Sequence, residues 1–338
     1  MLQFNQGYRE NALRNILFDY TKDDIQKKSK TIKNELLHNI INENENCLLL
    51  LDPTLRNINP ENPLWDALKG KEVQIVKFSH TELYDVFELF LIPLNLNNSS
   101  DIELFNLSID ATLHEISPKH LDAGAGRSVY GWLITPHSCD YVARHLSSTA
   151  IQTISGEGEF LLRFFDPSII NITLSVLDNW QQSRLLGSLQ RWYYIDGDAQ
   201  IINQEGCYNH QRQMDFSLSI DNNTWRKIQH LSVINDIMRC YRNEYQFKER
   251  VNELLAHRWL LVALESMSYA KFLENRDDCR LFGIHILTKH PLIYQSRRLQ
   301  EMIDSSVHMK DTSYRLLVKN FSIQDWEQII KECKRSVQ

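Results

Sequence analysis

The chain has no long apolar run. Its longest, Trp259-Leu260-Leu261-Val262-Ala263-Leu264, is far short of the roughly 20 residues of a membrane helix, so no transmembrane helix and no membrane partner are expected. A basic excess is also missing. The 37 Lys and Arg stand against 43 Asp and Glu, a net charge of −6, which disfavours nucleic acid as a ligand because phosphate binding needs a basic surface. Paired cysteines are missing too. Cys47, Cys139, Cys207, Cys240, Cys279 and Cys333 are scattered, which fits reduced thiols in a cytoplasm rather than a disulfide framework. Met1-Leu2-Gln3-Phe4-Asn5-Gln6 offers no basic start leading into an apolar core, so no secretory signal is expected. No G-x-S-x-G, P-loop or H-E-x-x-H element occurs.

Glycine and proline thin out along the chain. Beyond residue 200 only Gly206, Gly283 and Pro291 remain of 11 Gly and eight Pro. Breakers punctuate strands and turns, so a mixed first half and a helical second half are expected. Charge divides the same way: 17 basic and 26 acidic side chains up to residue 200, then 20 and 17. One reading is two solvated surfaces of ordinary composition; the sharper one is that the second half meets an acidic protein surface.

What is present is enough apolar material, 43% of 338 residues, for about two domains. Cys47–Leu51, Val73–Phe78, Gly131–Thr135, Phe160–Phe165 and Arg191–Ile195 read as strands. Several are continuously apolar, as strands buried on both faces are. Stretches near 80–92, 138–149 and 167–180 read as helices. In the second half Trp225, Ile228, Leu231, Ile234, Met238 and Tyr241 form one helical stripe, and Val251, Leu254, Leu255, Trp259 and Val262 another. The expected fold is α/β in two lobes, a mostly parallel sheet flanked by helices followed by an all-helical lobe. The expected domains are an N-terminal helical segment over 1–45, an α/β lobe over 46–200 and a helical lobe over 201–338.

Two segments look alike: Cys47–Leu51 running into Asp52-Pro53, and Phe160–Phe165 running into Asp166-Pro167. One reading is structural, with Asp capping the orphan N–H groups of a following helix and Pro at its first position. The other puts two carboxylates at the carboxyl edge of a parallel sheet, where a metal-dependent hydrolase or phosphatase could hold Mg²⁺ between Asp52 and Asp166. His137, Cys139, Cys207 and His210 could in principle ligate Zn²⁺, but their spacing is that of no zinc finger or ribbon. Cys139 and His145 would be a nucleophile and base only across a six-residue offset, which a helix does not align. No cofactor is expected.

Several pieces in order resemble the Tap/TEC family of bacterial type VI secretion effector chaperones, also called adaptors. They are Leu49-Leu50-Leu51-Asp52, Asn62-Pro63-Leu64-Trp65 with Leu68, Gly131-Trp132-Leu133-Ile134, Asp140 to Leu146 with Arg144-His145-Leu146, Leu161-Leu162-Arg163-Phe164-Phe165-Asp166-Pro167, and Trp192. The resemblance covers about residues 46–195, and it departs from the family at Phe165 and Ser168. It implies a cytoplasmic protein that is not an enzyme. Such a protein binds a PAAR- or Rhs-type toxin effector, loads it onto the VgrG spike and is not itself secreted. It also implies that the signature residues Asp52, Trp132, His145, Arg163, Phe164, Asp166 and Pro167 are architectural, and that the variable helical lobe is cargo-specific.

Overall fold

The computed structural model describes residues 22–43, 45–78, 80, 87–117, 120, 126–154, 156–187, 189–206, 217–244, 250–306 and 313–335. These fall into two compact units divided between Trp225 and Arg226. No helix among them is long and apolar enough to cross a membrane.

The first unit is built on a six-stranded sheet: β1 (Asn46–Leu51), β2 (Gln74–Lys77), β3 (Glu88–Leu94), β4 (Val129–Thr135), β7 (Arg191–Ile195) and β8 (Ile201–Glu205), in the order β2-β3-β1-β4-β7-β8. A separate hairpin joins β5 (Ile151–Ile154) and β6 (Gly158–Leu161). Every pairing is antiparallel, which corrects the expectation of a mostly parallel sheet. The continuous apolar runs that suggested parallel strands have another cause. Helices cover both faces, so the whole of β4 is buried whichever way its neighbours run. The helical connections are real, but two of them skip a strand. β1 and β2 run in the same direction with β3 between them, and β3 and β4 do so with β1 between them.

On one face lie α1 (Lys22–Glu43) and α3 (Ser99–Glu115). Ile32, Leu36 and Ile40 recur every four residues on the buried side of α1. Ser29 and Lys33 bind Asp110 of α3 at 2.6 and 2.7 Å. Trp132 faces this layer, its ring 5.7 Å from Phe105 and its Nε1–H donating to the Ser108 hydroxyl at 3.2 Å. Between β1 and β2 come a 3₁₀ turn (Pro53–Asn57) and the short α2 (Pro63–Ala67). α4 (Cys139–Ala150) packs along β2. α5 (Ile170–Val176) and α6 (Asn179–Leu186) replace the single helix expected near 167–180; a capping box at Asp178 starts the second. The helix expected over 80–92 is contradicted at 88–92, which form β3, whose apolar Leu89, Leu91 and Ile92 are buried in the sheet. The strand expected over 160–165 stops at Leu161. β8 lies past the division at residue 200 that composition suggested.

One irregularity shapes the centre of the sheet. Leu50 pairs with Gly131 but Leu51 pairs with Val129, so Tyr130 is the extra residue of a β-bulge. Plain alternation would set Tyr130 on the Trp132 side. The bulge sends it to the opposite face, against Phe165 at 5.6 Å. Gly131 has φ of 135°, and a Cβ there would stand 2.4 Å from the Tyr193 carbonyl and 2.7 Å from the Trp192 indole nitrogen. Only glycine fits.

The second unit contains most of α7 (Asn222–Glu244), then α8 (Glu253–Ser266), α9 (Arg276–Thr288), α10 (Arg297–Ser306), α11 (Tyr314–Val318) and α12 (Ile323–Arg335). Ile228, Leu231, Ile234, Met238 and Tyr241 are buried on α7, as their spacing predicts. Asp236 is gripped by Arg276 and Arg280 of α9, three of the four contacts at 2.9–3.0 Å. Arg242 pairs with Glu253 at 2.5 Å, both buried. Phe272, Phe282 and Tyr314 form an aromatic cluster that His285 joins through the Tyr314 hydroxyl at 3.0 Å.

Gly131→Ala is expected to cost about 3 kcal/mol or to prevent folding, because overpacking and a disfavoured φ add; the urea midpoint reads this. Burial, helped by Lys289, lowers the His285 pKa to about 4. The unfolded chain then takes up a proton below about pH 6.5 while the native ring stays neutral. Stability is expected to fall by up to about 2 kcal/mol between pH 7 and 5. The loss should shrink in His285→Gln, followed by denaturant titration at both pH values.

Candidate functional site

The two Asp-Pro turns come together. Asp52 ends β1, and its Oδ1 accepts from the Thr54 N–H at 2.9 Å and the Thr54 hydroxyl at 2.5 Å. Asp166 repeats this on Ser168, N–H at 2.9 Å and hydroxyl at 2.7 Å. The local rule is Asp-Pro-Ser/Thr. The proline fixes φ, and the third residue supplies both donors, so Ser168 does for Asp166 what Thr54 does for Asp52. Asp52 caps the 3₁₀ turn after it. Asp166 closes only a turn, since α5 begins at Ile170 without a side-chain cap.

Two side chains tie the turns to each other. The Tyr130 hydroxyl donates to Asp52 Oδ2 at 2.8 Å and accepts from Arg163 Nη2 at 2.7 Å. The same Nη2 lies 3.6 Å from Asp166 Oδ2 and 3.9 Å from Asp52 Oδ2. The guanidinium also sits 5.2 Å from the centre of the Phe87 ring, a cation–π distance. Its other side reaches solvent, with the Arg163 side chain 44% exposed while Asp52 is 5%. Burial raises the Tyr130 pKa well above that of a free phenol, and Asp166 and Asp52 add to it. Tyr130 therefore stays a neutral donor. Burial works against the Arg163 charge, but Tyr130, Asp166 and Asp52 outweigh it and the pKa rises.

Below this cluster is an aromatic floor. Phe78, Phe87 and Phe165 lie within 6.0 Å of one another by ring centres, and Phe164 meets Trp192 at 6.1 Å. The Trp192 Nε1–H donates to the Tyr130 carbonyl at 3.2 Å, so the bulge is pinned from the next strand. Pro167 is buried beside Asp166.

Of the signature residues, Asp52, Arg163 and Asp166 meet directly and Phe164 packs beneath them. Trp132 lies on the other face of the sheet. His145 serves a different joint: its Nε2 bonds the Leu185 carbonyl at 3.0 Å, and Gly187 leaves room for its ring. Burial lowers its pKa, so it stays neutral there. Tyr130, the centre of the cluster, is missed by sequence reading. Its signal is the Tyr130-Gly131 pair, a glycine inside a buried strand, which marks a bulge.

Both carboxylates are engaged in ways that leave a cation poorly served. Asp52 has a partner on each oxygen, and the one shared charge nearby is Arg163 itself. Among the described residues no group of three or more His, Cys, Asp and Glu is placed to hold a metal ion. His137 stacks on Tyr141 at 4.4 Å, and Cys139 lies 3.8 Å from the Leu91 carbonyl. Burial pushes the Cys139 thiol up to about 11, the reverse of what a nucleophile needs. Cys207 and His210 lie outside the described residues.

Residues 90–184 match a family described as a domain of unknown function, DUF4123. The match takes in β3 to α6, and so Tyr130, Arg163 and Asp166, but stops short of Asp52. No curated protein and no solved structure matches the chain.

Tyr130→Phe is expected to cost about 1–3 kcal/mol by leaving buried Asp52 short of a donor. Arg163→Met should cost less, being half exposed. Because the two share one hydrogen-bonded chain, the double variant should lose less than the sum of the single losses in a urea-denaturation cycle.

Proposed function

We propose that the protein is a cytoplasmic adaptor for a type VI secretion effector. It binds a toxin of the PAAR or Rhs type and passes it to the VgrG spike, without chemistry of its own. The observation that carries this reading is the match of residues 90–184 to DUF4123, a family associated with such adaptors, together with the ordered segments from Leu49 to Trp192 that resemble them. The geometry supports a structural part for the signature. Both Asp52 oxygens and Asp166 Oδ1 are engaged by adjacent turns and by Tyr130, and Arg163 Nη2 lies beside both carboxylates, an arrangement that a scaffold accounts for.

The physical task of an adaptor is to cover exposed surface on its cargo and later release it. Binding must be tight enough to protect and weak enough to yield to the spike. The test is capture of a defined partner. The tagged full chain, co-expressed with each PAAR- or Rhs-type toxin encoded near it, should retain one of them through size-exclusion chromatography at equal stoichiometry. Retention of none would overturn the reading. A parallel thermal-shift series with Mg²⁺, Mn²⁺ and Zn²⁺ should leave Tm unchanged, whereas a rise with any of them would favour the hydrolase using Asp52 and Asp166.

A further inference from the structure

The two edges of the six-stranded sheet are treated differently. At β2 the edge is covered: α4 packs along the strand, and the Ser147 hydroxyl donates to the Lys77 carbonyl. At β8 the ladder stops. Its hydrogen-bond phase follows from its two ends, where Asp196 N–H donates to the Gln200 carbonyl at 3.0 Å and Gly206 N–H to the Gln190 carbonyl at 3.0 Å. Alternation then turns Ile202 and Gln204 toward β7 and sends the N–H and C=O of Ile201, Asn203 and Glu205 outward. Among the described residues those outward groups have no partner. Natural edges are normally blocked by charged side chains (Lys above all), Pro, a bulge or a covering element. Ile201-Ile202-Asn203-Gln204-Glu205 has one charge, Glu205 at its end, no Lys, Pro or bulge, and among the described residues no strand beyond it.

The side chains along this edge specify what fits. Ile201, Asn203 and Glu205 stand opposite Ile195, Tyr193 and Arg191. Arg191 serves two carboxylates at once, Glu43 at 2.5 Å and Glu205 at 2.6 Å, and the Glu205 side chain is 72% exposed. Two acids sharing one guanidinium leave excess negative charge at that end, while at the other Ile201 stands opposite the buried Ile195. A second copy of the chain is a poor occupant. The two-fold register centred on Asn203, the one that pairs all three outward residues, would set each Ile201 against the other copy's Glu205.

We propose that the open β8 edge takes an extended segment of the cargo as a seventh, antiparallel strand, with the alternating pattern basic-x-polar-x-apolar facing Glu205, Asn203 and Ile201. This rests on the adaptor reading and gives it a docking mode, in which backbone pairing supplies affinity and alternate side chains supply selection.

The probe is a capped peptide, Ser-Lys-Val-Thr-Val-Val-Ser, added to the full chain. Hydrogen exchange at the amides of Ile201, Asn203 and Glu205 should be fast in the free protein and slowed by the peptide. The variant is Asn203→Pro, which removes an outward N–H and none of the bonds to β7. It should weaken the peptide at least tenfold at unchanged Tm. If Tm falls, Glu205→Lys decides instead: it should weaken the same peptide about tenfold and regain affinity when Glu replaces the peptide Lys. Unprotected amides, or equal affinity in these variants, overturn the proposal. So does a dimer in analytical ultracentrifugation that Asn203→Pro abolishes, which would make the occupant a second copy. The peptide assay needs no effector, so its failure is separate from failure of the adaptor reading. A toxin captured equally well by wild type and Asn203→Pro would remove the edge proposal and leave the adaptor standing.

Discussion

The first unit depends on a single phenol. Tyr130 donates to Asp52 and accepts from Arg163, and so joins the end of the central strand to a turn more than a hundred residues later. A hydroxyl suits this because it can do both at once. A carboxylate and a guanidinium held directly against each other would need both charges desolvated. Here the neutral hydroxyl lies between them, and the Arg163 head stays partly in water. The bulge at Tyr130, the glycine after it and the Trp192 indole beneath all serve to put that hydroxyl in place.

The joint is extended at its back by a buried acid. Glu115, at the end of α3, accepts from both the N–H and the hydroxyl of Ser128, whose carbonyl in turn receives the Asp52 N–H at 2.8 Å. The helix layer on one face is thereby connected through a strand end to the Asp-Pro turns on the other. Satisfied polar chains of this kind specify one arrangement more than they add stability, since any member left alone is costly.

How much of this could be read from sequence depends on the range of the interaction. Local chemistry was legible: the Asp52-Pro53 and Asp166-Pro167 turns, the α7 stripe from Ile228 to Tyr241, and the strand character of Cys47–Leu51 are set by neighbours a few residues away. Strand direction was not. The buried run Cys47–Leu51 looks the same whether its neighbours run parallel or antiparallel, because periodicity reports which faces are covered and nothing else. Residues 88–92 show the other limit. Glu88-Leu89-Phe90-Leu91-Ile92 is apolar enough for a helix or a strand, and only its place beside β1 decides. Tyr130 was invisible because its role is created by a register shift, which is a property of two strands together.

The skipped-strand connections have a consequence for how the chain is made. β1 occupies the middle of the sheet, yet its partners are β3 and β4, which leave the ribosome only after tens of further residues. At about 5–20 residues per second, the segment Cys47-Leu48-Leu49-Leu50-Leu51 waits for seconds with both edges bare. Such a segment is apolar, uncharged and free of proline and glycine, features shared with segments that pair with the wrong strand. High contact order makes the native pairing slow as well. The order in which the chain is made thus leaves β1, a central strand buried from Cys47 to Leu51, unpaired the longest of the described strands.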